Sequence, residues 1–215
     1  MLAKPPRADA VLMWLFDRPC VACLADSQGA AFCLDCALDL EKPTRHGNTM
    51  AAWSYEGAVQ KAITAWKDSA HTWRDAALID ASLQRLKPWL DELRWEVVVV
   101  VPPSPLRLLI RAFHPPDAFA QHIARAYDTP FAARALVRLD FAKQRGASST
   151  ERAVAPRFAL SPFFGRVVRH RRVLLVDDVL TTGATLRRAE TVLSACGAST
   201  VAQIVVARVP KRRPG

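Results

Sequence analysis

A chain of 215 residues can bury one full core and still carry a small module of a few dozen residues. With 51% hydrophobic residues, charge spread along its length and no low-complexity stretch, it is neither a disordered nor a fibrous protein. The net charge of +10 favours polyanionic partners, either nucleic acid or phosphorylated small molecules, although no recognised nucleic-acid motif organises the arginines. The apolar run Ala10 to Phe16 is too short to span a bilayer and lacks a small-residue cleavage site, and Val97 to Val101 is strand-sized. The expectation is a cytoplasmic protein without membrane insertion.

In chain order, the cysteines come first. Cys20 and Cys23 form one Cys-x-x-Cys, and Cys33 and Cys36 form a second after a short connection containing Gly29. Two such pairs can supply four thiolates in tetrahedral geometry to one zinc ion, with no position left open for water, so the metal would be structural. Disulfides or a redox Cys-x-x-Cys are the rival readings, and they lack an export signal or a thioredoxin-like strand context. Cys196, beside Gly197, reads as a small buried side chain. The expected division is a zinc-binding module over residues 1–46 and a second domain over residues 47–215.

After the loop Pro43 to Asn48, Met50 to Tyr55 reads as a strand, Gly57 to Trp66 as a helix and Arg74 to Leu86 as a second helix. Trp95 to Val101 reads as a fully buried strand stopped by Pro102-Pro103-Ser104-Pro105, and Asp117 to Ala126 as the following helix. Further strands are expected over Phe131 to Leu139, Val173 to Val176 and Thr200 to Ala207, with a helix over Thr185 to Cys196 closed by Gly197. This alternation predicts an α/β fold with a mostly parallel sheet and helices on both faces. The tryptophans Trp53, Trp66, Trp73, Trp89 and Trp95 read first as core residues.

Chemistry concentrates near the C-terminus. Asp177-Asp178 follows the aliphatic run Val173 to Val176, at the carboxyl end of the predicted strand, where open α/β sheets bind ligands. Two adjacent carboxylates repel, so they call for strong partners such as ribose hydroxyls and a hydrated cation. Thr181, Thr182, Gly183, Ala184 and Thr185 follow directly, offering backbone N–H groups, three hydroxyls and a glycine at a helix N-terminus: a phosphate cradle.

The run Val173 to Thr185 resembles the phosphoribosyl-diphosphate signature of type I phosphoribosyltransferases. Together with the two Cys-x-x-Cys pairs, Tyr55-Glu56-Gly57 with Lys61 and Lys67, and Val101-Pro102, the chain resembles the ComF family over nearly its whole length. Gln144 and Glu151-Arg152 extend the likeness, while Arg111-Ala112-Phe113-His114-Pro115, Ala142 and Ala155 depart from the family's residues. The resemblance implies a zinc finger joined to a type I phosphoribosyltransferase-like domain, and links to DNA uptake in natural transformation. It implies Asp177 and Asp178 on the ribose hydroxyls, Thr181 to Thr185 on the 5′-phosphate, and Pro102, Pro103, Ser104 and Arg107, with Lys67 nearby, on the magnesium pyrophosphate. The ligand would be phosphoribosyl diphosphate with magnesium, or a nucleotide. If transfer occurs, the site would work by positioning and by stabilising an oxocarbenium-like ribose. The competing reading keeps the fold without the reaction, as a nucleotide or single-stranded DNA binding module acting with competence proteins. Arg134, Arg138, Lys143, Arg145 and Arg152 would supply its salt-sensitive DNA affinity.

Overall fold

A computed structural model describes residues 19–68, 72–104, 113–139 and 157–210. Helices α1 (Leu34–Leu38), α2 (Gly57–Asp68), α3 (Thr72–Glu92), α4 (Pro115–Ala126) and α5 (Ala184–Ala195) alternate with strands. The strands are β1 (Thr44–His46), β2 (Thr49–Ser54), β3 (Val97–Val100), β4 (Leu136–Arg138), β5 (Phe158–Leu160), β6 (Arg172–Leu180) and β7 (Thr200–Arg208). The main sheet has the order β1-β2-β7-β6-β3. All its pairings are parallel except β1 with β2, and β4 and β5 form a separate antiparallel pair.

The period-two alternation of strand side chains divides the core into two layers. On one face, Val98 and Val100 of β3, Leu174 and Val176 of β6 and Ile204 and Val206 of β7 pack with Ile63 and Trp66 of α2, Leu78 of α3 and Phe119 and Ile123 of α4. On the other, Val97, Val99, Val173, Leu175 and Val205 pack with Leu186, Ala189 and Leu193 of α5 and with Leu136 and Phe158 of the small pair. Both layers are apolar, which is why β3 and the first half of β6 read as uninterrupted aliphatic runs.

Several elements differ from the sequence expectation in extent, three of them most. Strand β6 continues through Asp177 and Asp178 to Leu180, because β7 stays in parallel register with it from Arg172↔Thr200 to Leu180↔Arg208. Helix α3 runs past Pro88 to Glu92, with Leu90 of its last turn buried. Of the expected strand Phe131 to Leu139, only Leu136–Arg138 and a single bridge from Phe131 to Val98 form. Trp53 and Trp66 are core residues, whereas Cys196 is the half-buried C-cap of α5 rather than a buried side chain.

The cysteine unit is seated on this core. Cys20, Val21, Phe32 and Cys33 join the α2–α4 layer. Phe32 meets Trp53 edge-on with ring centroids 5.3 Å apart, and the Arg85 guanidinium lies 4.0 Å from the Trp53 ring centroid. Arg85 also donates to the carbonyls of Ala52 and Glu41, tying α3 to β2 and to the segment leading out of the unit. No described helix is long and apolar enough to cross a membrane.

Candidate functional sites

The four cysteine sulfurs lie within 4.8 Å of one another, and the Sγ atoms of Cys23 and Cys33 are 3.6 Å apart. A tetrahedron with zinc–sulfur bonds of about 2.3 Å has sulfurs about 3.8 Å apart, so the four ligand atoms fit one metal ion. Burial opposes ionisation of Cys20, yet backbone donors from Cys23, Cys33 and Ala22 outweigh it and hold the thiol down to about 7. Burial and the three neighbouring sulfurs push Cys36 far up. A bound cation would favour the thiolate form of all four sulfurs.

The second site opens at the carboxyl end of β6. A cavity of about 390 Å³ is lined there by Asp177, Asp178, Val179, Thr181 and Thr185, by Val101 to Ser104 after β3, by Tyr55 after β2 and by Lys67 of α2. Phe113, His114, Pro115 and Pro116 at the start of α4 and Arg138 of β4 complete it. Parallel strands bring this about, since β2, β3, β6 and β7 all end on the same side of the sheet.

The acidic pair is internally compensated. Lys67 Nζ sits 2.7 Å from Asp178 Oδ2, with side chains 22% and 15% exposed. Asp177 Oδ1 accepts the backbone N–H of Asp178 at 2.9 Å, and Asp178 Oδ1 accepts that of Val179 at 2.6 Å. Desolvation and the adjacent Asp178 carboxylate push the Asp177 pKa up to about 8, against the pull of the Asp178 N–H and of Lys67.

The loop after β6 divides between two cavities. Thr181 and Thr185 line the main cleft, while Thr181, Thr182 and Gly183 line a second cavity behind it. Ala184 is the first residue of α5 and its N–H points to Thr182 Oγ1 at 3.4 Å. Gly183 caps α5 in the left-handed region at φ 76°, and a Cβ there would come within 2.7 Å of Arg187 Nη1. The glycine is therefore favoured by the left-handed backbone turn, whereas the Arg187 guanidinium, at the end of a flexible side chain, can shift to make room.

Of the pyrophosphate-side residues, Pro102, Pro103, Ser104 and Lys67 meet at the cleft, and Arg107 lies outside the described residues. So do Lys143, Gln144, Arg145, Glu151 and Arg152. The cleft also takes Val179 and Pro116, which had no assigned role, Phe113, His114 and Pro115, named only as departures from a family motif, Tyr55, used only as part of a motif, and Arg138, assigned to DNA affinity. Their signal was positional: each stands at or next to the end of an element, β6 and β2 in the parallel sheet, α4 beside it, and β4 in the separate antiparallel pair.

Residues 118–214 match the family model described as phosphoribosyl transferase domain. No curated protein matches the chain. Among solved structures, the chain is similar to adenine phosphoribosyltransferase from Saccharomyces cerevisiae, at 16% identity over 81% of this chain and 86% of that one, TM-score 0.43. It is similar to orotate phosphoribosyltransferase from Aeropyrum pernix, at 16% identity over 79% and 75%, TM-score 0.40. It is also similar to the glutamine phosphoribosylpyrophosphate amidotransferase of B. subtilis, at 23% identity over 61% of this chain, TM-score 0.40, and it spans 26% of that chain's length. The fold class is type I phosphoribosyltransferase-like, a mostly parallel sheet with helices on both faces, carrying an N-terminal cluster of four cysteines.

Proposed function

We propose that the cleft at the end of β6 binds phosphoribosyl diphosphate or the 5′-phosphate and ribose of a nucleotide. The observation that carries this reading is the meeting of Asp177 and Asp178 with Thr181 and Thr185 in one cavity, inside the stretch that matches the phosphoribosyl transferase domain. The carboxylates accept ribose hydroxyls, and the N-terminal turn of α5 receives the 5′-phosphate. Ser104 and the prolines after β3 form the opposite wall, on the side where a pyrophosphate would extend. The oxygen-rich end of β6 suits magnesium, which when bound with the ligand offsets the pyrophosphate charge. What the chain's own groups contribute is position: α2 fixes Lys67, Lys67 fixes Asp178, and the β6–β7 register fixes both acids. The cysteine cluster is the zinc finger of this reading, holding the N-terminal unit on the core.

The resemblance to the ComF family extends the proposal to DNA uptake in natural transformation. A second reading, binding without transfer in company with single-stranded DNA or competence proteins, is favoured by one observation: Lys67 already occupies Asp178. The test is calorimetric titration with magnesium and phosphoribosyl diphosphate, followed by a pyrophosphate-release assay over a panel of bases. Binding with release supports a transferase, binding without release supports the module, and no binding removes the phosphoribosyl reading of the cleft.

A further inference from the structure

Behind the loop Thr181 to Gly183, on the α5 face of the sheet, lies a cavity of about 360 Å³ that the reading above leaves unused. His46 and Thr49 come to it from the β1–β2 turn, Gln203 and Arg208 from β7, Thr182 from the loop and Arg187 from the first turn of α5. Among the described residues, no acidic side chain lines it. The nearest carboxylate in the hydrogen-bond network, Glu190, is engaged elsewhere: its two oxygens accept the amide hydrogens of Asn48 at 2.7 Å and of Gln203 at 2.8 Å. The Gln203 carbonyl in turn accepts the Thr49 hydroxyl at 2.6 Å. The guanidinium of Arg208 has no hydrogen-bond or ion-pair partner among the described residues, and that of Arg187 donates only to the Thr182 carbonyl, at 2.9 Å.

Two guanidinium groups beside a hydroxyl-bearing loop, with the local carboxylate already satisfied, form a receptor for a dianion. We propose that this cavity is a second anion site, separate from the cleft, which takes a phosphate group, free or as a small monoester. Arg208 supplies the uncommitted charge. Arg187 supplies the link, because an anion there competes with the Thr182 carbonyl for its N–H groups and so acts on the loop that also borders the main cleft. Thr181, which lines both cavities, stands between the two ligands.

The experiment titrates the full-length, metal-loaded protein with ribose 5-phosphate and counts equivalents, in the parent and in Arg208→Gln, Thr185→Val and the double variant, each checked for folding by circular dichroism. Two equivalents are expected in the parent and one in each single variant, with neither tight equivalent left in the double variant. Loss of the guanidinium should weaken its equivalent at least about tenfold. A single equivalent that Thr185→Val removes and Arg208→Gln leaves untouched overturns the second site while the cleft reading survives. A single equivalent that responds only to Arg208→Gln supports the second site and sinks the cleft. Two equivalents of unchanged affinity in folded Arg208→Gln also overturn the proposal. In a parallel arm, inorganic phosphate that displaces the Arg208-dependent equivalent marks a site for the free ion, and failure to displace it marks one for the ester.

Discussion

The cysteine cluster and the carboxyl end of β6 both crowd groups that repel when ionised, and they relieve the crowding in opposite ways. At the end of β6 the protein supplies the relief itself: Lys67 on Asp178, two backbone N–H groups, and a proton retained by Asp177 up to about pH 8. Among the described residues the four thiols have backbone donors and one another, and burial with neighbouring sulfurs drives Cys36 away from ionisation. A preformed sheet edge can wait for its ligand. A cluster of four cysteines placed to hold one metal ion would gain its stability from that ion.

The largest effect expected from this contrast is therefore at the cysteines. Cys20→Ser or Cys36→Ser should abolish stoichiometric zinc, measured by elemental analysis, and cost on the order of 5 kcal/mol in the stability of the N-terminal unit. Because Phe32 and Val21 share a core layer with Trp53 and α2, the melting temperature of the whole chain should fall as well. Fully metal-free protein with an unchanged melting curve would break the contrast.

The acidic pair should show its self-compensation as a pH profile. An acid whose pKa is raised by folding binds its proton more tightly in the native state, so Asp177 stabilises the fold at low pH and loses that contribution as pH rises from about 4 towards about 8. Ribose hydroxyls bond more strongly to the ionised carboxylate than to the protonated acid, so ligand affinity should move the other way. It should rise about tenfold per pH unit below the Asp177 pKa and level off above about 8. Lys67→Met removes the nearby cation, and calorimetry between pH 7 and 9 should find the rise displaced to higher pH. An unshifted profile would show that Lys67 does not govern the pair.

A smaller effect is expected at Gly183. Because its φ of 76° favours glycine, Gly183→Ala should cost about 1–2 kcal/mol in chemical denaturation whether or not ligand is present. Loss of binding in a Gly183 variant is informative only after that strain is measured. The smallest effect concerns Asp75 of α3, which is 8% exposed, has an Oδ1 without a partner among the described residues, and is pushed up to about 6 by burial. Asp75→Asn should stabilise the protein near pH 7.5 by roughly 1 kcal/mol, or about 2–4 °C, and by less near pH 4, where the carboxyl is already protonated.

The order of elements was legible because parallel α/β architecture writes itself as aliphatic runs such as Val97 to Val100 and Val173 to Val176, separated by helical periods. Their extents were less so. β6 runs four residues beyond Val176 because β7 continues to pair with it, a tertiary fact that no local pattern in Asp177-Asp178 announces. The cysteine cluster was legible from spacing alone, since both pairs lie within seventeen residues. The contact between Lys67 and Asp178 was not, for it joins residues far apart in the chain that meet only when α2 packs on the sheet. Arg138 and His114 escaped for the same reason. Asp177, Asp178, Thr181 and Thr185 converge on the cleft, while Thr182 and Gly183, between them in the chain, turn to the cavity behind.

The central claim is that the acids at the end of β6 hold a ribose while the adjoining loop holds its phosphate. It is tested most directly by calorimetric affinity for magnesium phosphoribosyl diphosphate in the parent and in the folded double variant Asp177→Asn with Asp178→Asn. The amides keep shape and volume and remove both charges, so affinity should fall about 100-fold or more. An undiminished affinity in the folded double variant would contradict it.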